Sequence, residues 1–265
     1  MFKIKRTLQI LLSFATMFAL NGCAPSELQK PDSAPPTPTF TPHESAAGIP
    51  DRLTSENEKT VRFKDGASSD FYWANGYSNG GNFNCTWRKS CATVSDGVMS
   101  MSVVKEGNSY GGAEYRTDKL YSYGFYSVRM KAAKGSGIIS SYFTYTNKPV
   151  WDEIDIEFLG KDTTKIQFNY FTKGSDKGHT FLFDLGYDAA ESFHEYAFEW
   201  KKDCIVWYVD GTAVYRATEN LPTNPMQLMM NVWNVRGADE WSGVFDESAL
   251  PATAQYEWFA FVPEN

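Results

Sequence analysis

Glu153, Asp155 and Glu157 sit two residues apart in the run Trp151-Asp-Glu-Ile-Asp-Ile-Glu-Phe-Leu-Gly160, alternating with Ile154, Ile156 and Phe158. A period of two is strand periodicity, so the three acids share one face of a strand and the three apolar residues share the other. The apolar side reads as core. Three like charges in file repel one another and pack poorly in a sheet, so the acidic side is either a solvated outer face or a site. Its reach makes it a candidate site. At about 3.3 Å per residue the Cα atoms of Glu153 and Glu157 lie about 13 Å apart, and two glutamates leaning together close much of that gap. Two carboxyl groups about 5 to 5.5 Å apart, one as nucleophile and one as acid/base, are what a retaining glycosidase uses. Asp155 lies between them, within reach of either. Crowding of like charges raises at least one pKa, which keeps one carboxyl protonated to serve as the acid.

Such a row needs a rigid sheet beneath it. From about Val61 onward, short runs rich in Tyr, Phe, Val and Ile alternate with Gly, Asn and Asp clusters, without a long helical stretch or a repeat of fixed period. This pattern predicts an all-β fold, a two-sheet sandwich or jelly roll formed by residues 60–265 as one domain. His194 to Trp200 and Ile205 to Asp210 read as neighbouring core strands, with Asp210-Gly211 as a further tight turn. Parity sorts the other strands into a core face and a polar face. Gln167, Asn169 and Phe171 oppose Ile166, Phe168 and Tyr170, while Gln227, Met229, Asn231 and Trp233 oppose Leu228, Met230 and Val232. Glu114 pairs in parity with Arg116, and Tyr77 with Asn79. Taken singly, each polar residue reads as facing water. Together with Trp151, Trp233 and Trp241 they read as a cleft, because amides and guanidinium groups bind sugar hydroxyls while aromatic rings stack on the apolar faces of sugars.

The net charge of −7 and the absence of a basic run argue against nucleic acid or an anionic membrane surface as partner and suit a neutral substrate. His43, His179 and His194 and the dispersed cysteines form no zinc pattern, and neither a Gly-x-Ser-x-Gly elbow nor a phosphate loop is present. Residues 1–22 carry a basic start and an apolar run ending in Leu20-Asn-Gly-Cys23, an export signal resembling a lipobox with Cys23 as the lipidated residue. Residues 23–59, rich in Pro, Ser and Thr, read as a tether. The expected location is the cell surface, with membrane contact only through the lipid, or the exterior if the lipobox is not used. Cys85 and Cys91 flank a short turn and are either a bridge or free thiols.

The residues so far identified, with Gly76-Tyr-Ser-Asn-Gly-Gly81, Asn84-Cys-Thr-Trp87, Ala113-Glu-Tyr-Arg116, Phe143-Thr-Tyr-Thr146, Trp151 to Thr164, Gln167-Phe-Asn-Tyr170, Trp207-Tyr-Val-Asp-Gly211, Met229-Met-Asn231 and Asp239-Glu-Trp241, make the chain resemble the bacterial lichenases, endo-β-1,3-1,4-glucanases of glycoside hydrolase family 16. The resemblance spans about Phe71 to Phe261. The laminarinase branch has one extra residue before the last Glu of the acidic motif. The resemblance implies a jelly roll with a substrate cleft on its concave face, Glu153 as nucleophile, Glu157 as acid/base and Asp155 assisting. It implies glucan contacts at Tyr77, Asn79, Glu114, Arg116, Trp151, Asn169, Phe171, Asn231, Trp233 and Trp241, with Phe171 standing where a tyrosine is usual. It also implies a monomer acting on β-glucan without a catalytic cofactor, and a structural calcium held near Gly97 and Glu257, where Asp is usual. Bacillus members join the cysteine equivalent to Cys85 to one at the position of Gly112, so that bridge is expected to be missing. A β-1,3-glucanase, a xyloglucan transglycosylase and a non-catalytic glucan-binding module remain as alternatives.

Overall fold

A computed structural model describes residues 59–63, 66–147 and 149–264. The signal, Cys23 and most of the tether lie outside the described residues. The described chain forms sixteen strands: β1 Lys59–Arg62, β2 Phe71–Trp73, β3 Thr86–Trp87, β4 Ala92–Ser95, β5 Val98–Glu106, β6 Ser109–Thr117, β7 Gly124–Lys131, β8 Ile138–Tyr145, β9 Glu153–Leu159, β10 Lys165–Phe171, β11 Phe181–Asp184, β12 His194–Trp200, β13 Ile205–Val209, β14 Thr212–Ala217, β15 Gln227–Asn234 and β16 Ala252–Pro263. The one α-helix among the described residues, α1, is the single turn Asp239–Ser242.

The strands build two layers. The first runs β11-β10-β9-β8-β15-β6, with β2 on β6, and the second runs β5-β16-β7-β12-β13-β14, with β4 on β5 and β1 on β16. Pairing of β5 with β6 at Val104↔Gly111 joins the two. Their inner faces share one core, to which the first layer gives Tyr115, Ile154, Ile156, Phe158, Phe168 and Met230, and the second Met101, Tyr126, Phe198, Trp200, Trp207 and Tyr256. These follow the period of two. Ile154, Ile156 and Phe158 are fully buried, as are Trp200, Ile205 and Trp207.

Aromatic side chains of the second layer also carry hydrogen bonds across the core, since a buried indole or phenol needs a partner. The Trp207 indole donates to the carbonyl of Asp155 at 3.1 Å, and the Tyr256 hydroxyl to that of Ser141 at 3.1 Å. The middle of β9 is thus pinned from below. His194 is a structural histidine: its Nδ1 lies 2.8 Å from Asp210 Oδ2, its Nε2 lies 2.8 Å from Ser192 Oγ, and its ring stacks on Tyr187.

Cys85, Cys91 and Cys204 are buried and unpaired, so the short bridge between Cys85 and Cys91 does not form. Burial pushes the Cys85 thiol up to about 12 and the Cys91 thiol up to about 11, which leaves both unreactive near neutral pH. A β-carbon on Gly112 would lie 2.7 Å from Cys85 Sγ and 3.3 Å from Cys85 Cβ. That is close to disulfide geometry. Gly112→Cys is therefore expected to bridge to Cys85 and, at about 2 to 4 kcal/mol for such a loop, to raise Tm by about 5 to 10 °C under oxidising conditions. The Val232 carbonyl, 2.8 Å from the new carbon, is backbone and must move, which offsets part of that gain. A melting curve unchanged by dithiothreitol in the variant would overturn this.

The residues expected to hold a calcium, Gly97 and Glu257, form no cluster of three or more metal-ligating side chains among the described residues. Those two residues do line one surface cavity, with Asp96 and Arg62. The Glu257 carboxylate, however, accepts from Arg129 Nε at 2.6 Å. A bulge between Tyr256 and Trp258 on β16 sets Glu257 beside Arg129 of β7. Two carboxylates, Glu257 and Asp96, and two guanidinium groups, Arg129 and Arg62, thus meet at this cavity.

Candidate active site

The outer face of the first layer carries a cleft of about 760 Å³. Register decides its floor. On β9, Glu153, Asp155 and Glu157 lie opposite Phe171, Asn169 and Gln167 of β10 on one side. On the other side they lie opposite Tyr145, Phe143 and Ser141 of β8. Beyond β8, β15 and β6 bring Asn231 beside Glu114 and Met229 beside Arg116. Parity alone places these side chains on one surface once the strands pair in this order.

The outer two carboxylates have separate holders. Trp151 Nε1 donates to Glu153 Oε2 at 2.6 Å, and Gln167 Nε2 donates to Glu157 Oε2 at 2.7 Å. The Trp241 indole on α1 donates to Gln167 Oε1 at 3.2 Å, which fixes the orientation of that amide. Asp155, 3 % exposed, is pushed well above the carboxylate range by burial and by the charges of Glu153 and Glu157, and it is hydrogen-bonded to Glu153. Burial also raises Glu153, and the charge of Glu157 adds to this, while the Trp151 and Asp155 hydrogen bonds pull it back. Glu157 is raised by burial and lowered by Gln167. All three are thus raised by burial, and at this spacing they share their titration as one set.

A second polar group lies across the cleft. Glu114, 1 % exposed, accepts from Arg116 Nη1 at 3.2 Å. Arg116 Nη2 also donates to Gln227, and the guanidinium lies over the Tyr72 ring. Ser141 Oγ donates to Asn231 Oδ1 at 2.5 Å. Asn169 is buried with its Oδ1 unpartnered, an acceptor in the cleft wall that a hydroxyl can satisfy.

Of the residues singled out from sequence, Asn79, Glu114, Arg116, Trp151, Glu153, Asp155, Glu157, Asn169, Phe171, Asn231 and Trp241 line this cleft. Asn79 comes from a loop rather than a strand, and its Oδ1 accepts from the buried Trp87 indole at 2.9 Å. Tyr77, in the same loop, is 43 % exposed and shares a hydrogen bond with Arg116 of the cleft, so a loop and not strand parity brings that pair to the site. Trp233 departs from expectation. It is 6 % exposed and stacked on Phe83 at 4.0 Å, so that face is closed to a sugar, and it supports Trp241 at 6.1 Å. Phe171, lacking the hydroxyl, stacks on Trp151 at 4.6 Å.

The family model for the glycosyl hydrolases family 16 matches residues 79–259, which include every cleft residue named above. The chain belongs to this family. It is 50 % identical over 195 residues to a beta-glucanase of Brevibacillus brevis, covering 71 % of this chain and 74 % of that protein. With a beta-glucanase of Bacillus subtilis it shares 47 % over 203 residues, covering 74 % and 83 %. The solved Bacillus licheniformis beta-glucanase superposes with a TM-score of 0.75 at 44 % identity, covering 78 % of this chain and 99 % of that one. The fold is accordingly the family's jelly-roll sandwich, and the chain is a glycoside hydrolase of beta-glucanase type.

Tyr145 and Asp176, which no sequence signal singled out, also line the cleft, and Gln167, legible only as one polar residue of its face, lies there too. Gln167 had the right parity. Its importance rests on contacts with Glu157 and Trp241, and no local pattern in the sequence reports those.

Proposed function

We propose that this family 16 enzyme is a retaining endo-hydrolase of mixed-linkage β-1,3-1,4-glucan, cutting β-1,4 bonds by double displacement. The observation that carries the reading is the row Glu153, Asp155, Glu157 on the cleft floor, with its two ends held by different donors. Glu153 attacks the anomeric carbon while Glu157 gives its proton to the departing glycosidic oxygen. Glu157 then takes a proton from water, whose oxygen displaces Glu153 and restores the original configuration. Asp155, protonated and hydrogen-bonded to Glu153, spreads the charge of the nucleophile. Arg116, Asn231 and Asn169 orient hydroxyls, and Trp151 and Trp241 offer ring faces, so the chain meets the carboxyl pair in attack geometry. Identity near 50 % to proteins named beta-glucanase supports the substrate class, and the uninterrupted Glu-Ile-Asp-Ile-Glu supports the mixed linkage over laminarin.

Barley glucan, laminarin and xyloglucan, incubated separately with the enzyme, test the reading. Reducing-sugar release is expected from barley glucan alone, and proton NMR of the first products should show the β-anomer. Faster release from laminarin would overturn the linkage preference, and no release from any of the three would favour a binding module.

A further inference from the structure

Asp152 has no place on the cleft floor, yet it is fully buried beside it. Its Oδ1 accepts from the backbone N–H of Lys173 at 2.9 Å. Its Oδ2 accepts from the backbone N–H groups of Thr223 at 2.8 Å and Asn224 at 3.0 Å, and from Asn224 Nδ2 at 2.9 Å. One carboxylate thus ties the turn after β10 and the loop before β15 to the chain entering β9. Burial alone would raise this carboxyl, but the four donors hold it below the usual range, so it stays charged.

The tie acts on the residue before it. Trp151 has φ +28°, a left-handed backbone that a tryptophan adopts only under constraint. Its N–H donates to the Asn147 carbonyl at 3.2 Å, and its own carbonyl accepts from Gly174 N–H at 3.3 Å. Gly174 is adjacent to Lys173, which Asp152 holds, and a β-carbon there would lie 2.4 Å from the Pro149 carbonyl, so this turn packs directly on the segment carrying Trp151. The indole so placed stacks on Phe171 and donates to Glu153.

We infer that Asp152 is a positioning residue which, by fixing the strained backbone of Trp151, aims the indole N–H at Glu153 and so helps set the orientation and ionisation of that carboxyl. The inference rests on the assignment of Glu153 as nucleophile. The charged or titratable groups near Glu153 are Asp155 and Glu157 on its own strand, Tyr145 on β8, Glu114 and Arg116 on β6, and Asp176 on the loop between β10 and β11. Asp152 contacts none of these through the hydrogen bonds above. Its influence runs through Trp151.

The test is the pH profile of kcat/KM on barley glucan. In Asp152→Asn all four donors lose their charged acceptor, and at least one of them meets an amide –NH2 in place of an oxygen. Loss of the indole hydrogen bond removes a force that favours the ionised glutamate, so the acid limb should rise by about one pH unit, with a fall in kcat/KM of about 10²-fold from misplacement. In a Trp151→Phe background, where the donor is already gone, Asp152→Asn should give no further rise. Asn224→Ala, which removes a single donor outside the cleft, should move the limb in the same direction by less, and it decides the matter if Asp152→Asn does not fold. A lowered Tm with an unmoved acid limb, or an equal rise in the Trp151→Phe background, would overturn the inference. Failure of the nucleophile assignment is separately visible, as glucan cleavage surviving in Glu153→Ala.

Discussion

Glu153→Ala is expected to lower hydrolysis of barley glucan by about 10⁴-fold or more while the domain remains folded. The loss is large because the side chain forms the bond to the anomeric carbon, and neither Asp155 nor Glu157 can take over. Asp155 is buried, and burial with the charges of its neighbours disfavours the anion that a nucleophile needs, while Glu157 is held by Gln167 on the leaving-group side. Stability should follow the opposite sign. Glu153 is raised on folding, so the native state holds its proton more tightly than the unfolded chain, and stability falls as pH rises above the unfolded value toward the folded one. Removing the group removes that penalty, so near neutral pH the variant should melt at the same temperature or higher. The cavity left beside Trp151 also admits a small anion. Azide, attacking an activated aryl glycoside from that side, would form a carbon–nitrogen bond as phenolate leaves, giving a glycosyl azide of inverted configuration. A variant retaining more than about 1 % of natural activity, or rescue that yields retained product, would remove Glu153 from the nucleophile's place.

The legible part of the site was the part that obeys local periodicity. Ile154, Ile156 and Phe158 face the core, and the carboxylates oppose them, because a strand has no other way to dispose alternate residues. The same rule placed Asn169, Asn231, Glu114 and Arg116 on one surface. What the sequence left hidden depends on partners far along the chain. Trp233 has the parity of a cleft residue, but the bridge of Phe83 to Val235 lays a phenyl ring over it. The ion pair of Glu257 with Arg129 depends on a bulge in β16 that no local pattern announces. Gln167 looks like one more polar residue until α1, which a four-residue turn hardly announces, brings Trp241 onto its carbonyl oxygen. Asp152 shows the same limit. Adjacent to the motif, it would pass for a solvated acid, and only the folded chain brings Lys173, Thr223 and Asn224 to it.

Glu157→Gln is expected to separate the two limbs of the pH profile. In the wild type the reaction needs Glu153 ionised and Glu157 protonated, so kcat/KM should be bell-shaped, with the basic limb reporting loss of the acid's proton. Glutamine keeps the size of the side chain but has no proton to give, so glucan cleavage should fall by about 10² to 10⁴-fold and the basic limb should disappear. The acid limb should stay close to its wild-type position, because Glu153 ionises there while Glu157 is still protonated and uncharged, so glutamine removes no charge that this step meets. An unmoved acid limb here, against a raised one in Asp152→Asn, makes the two variants controls for each other. Substrates with a good phenolic leaving group need little protonation. On these the variant should retain most of its first step yet stall at the second, where Glu157 no longer activates water, and a burst of phenol should precede slow turnover. A basic limb that persists in Glu157→Gln would assign the acid to another group, and Asp155, raised by burial and by the charges of both glutamates, would be the one to test next.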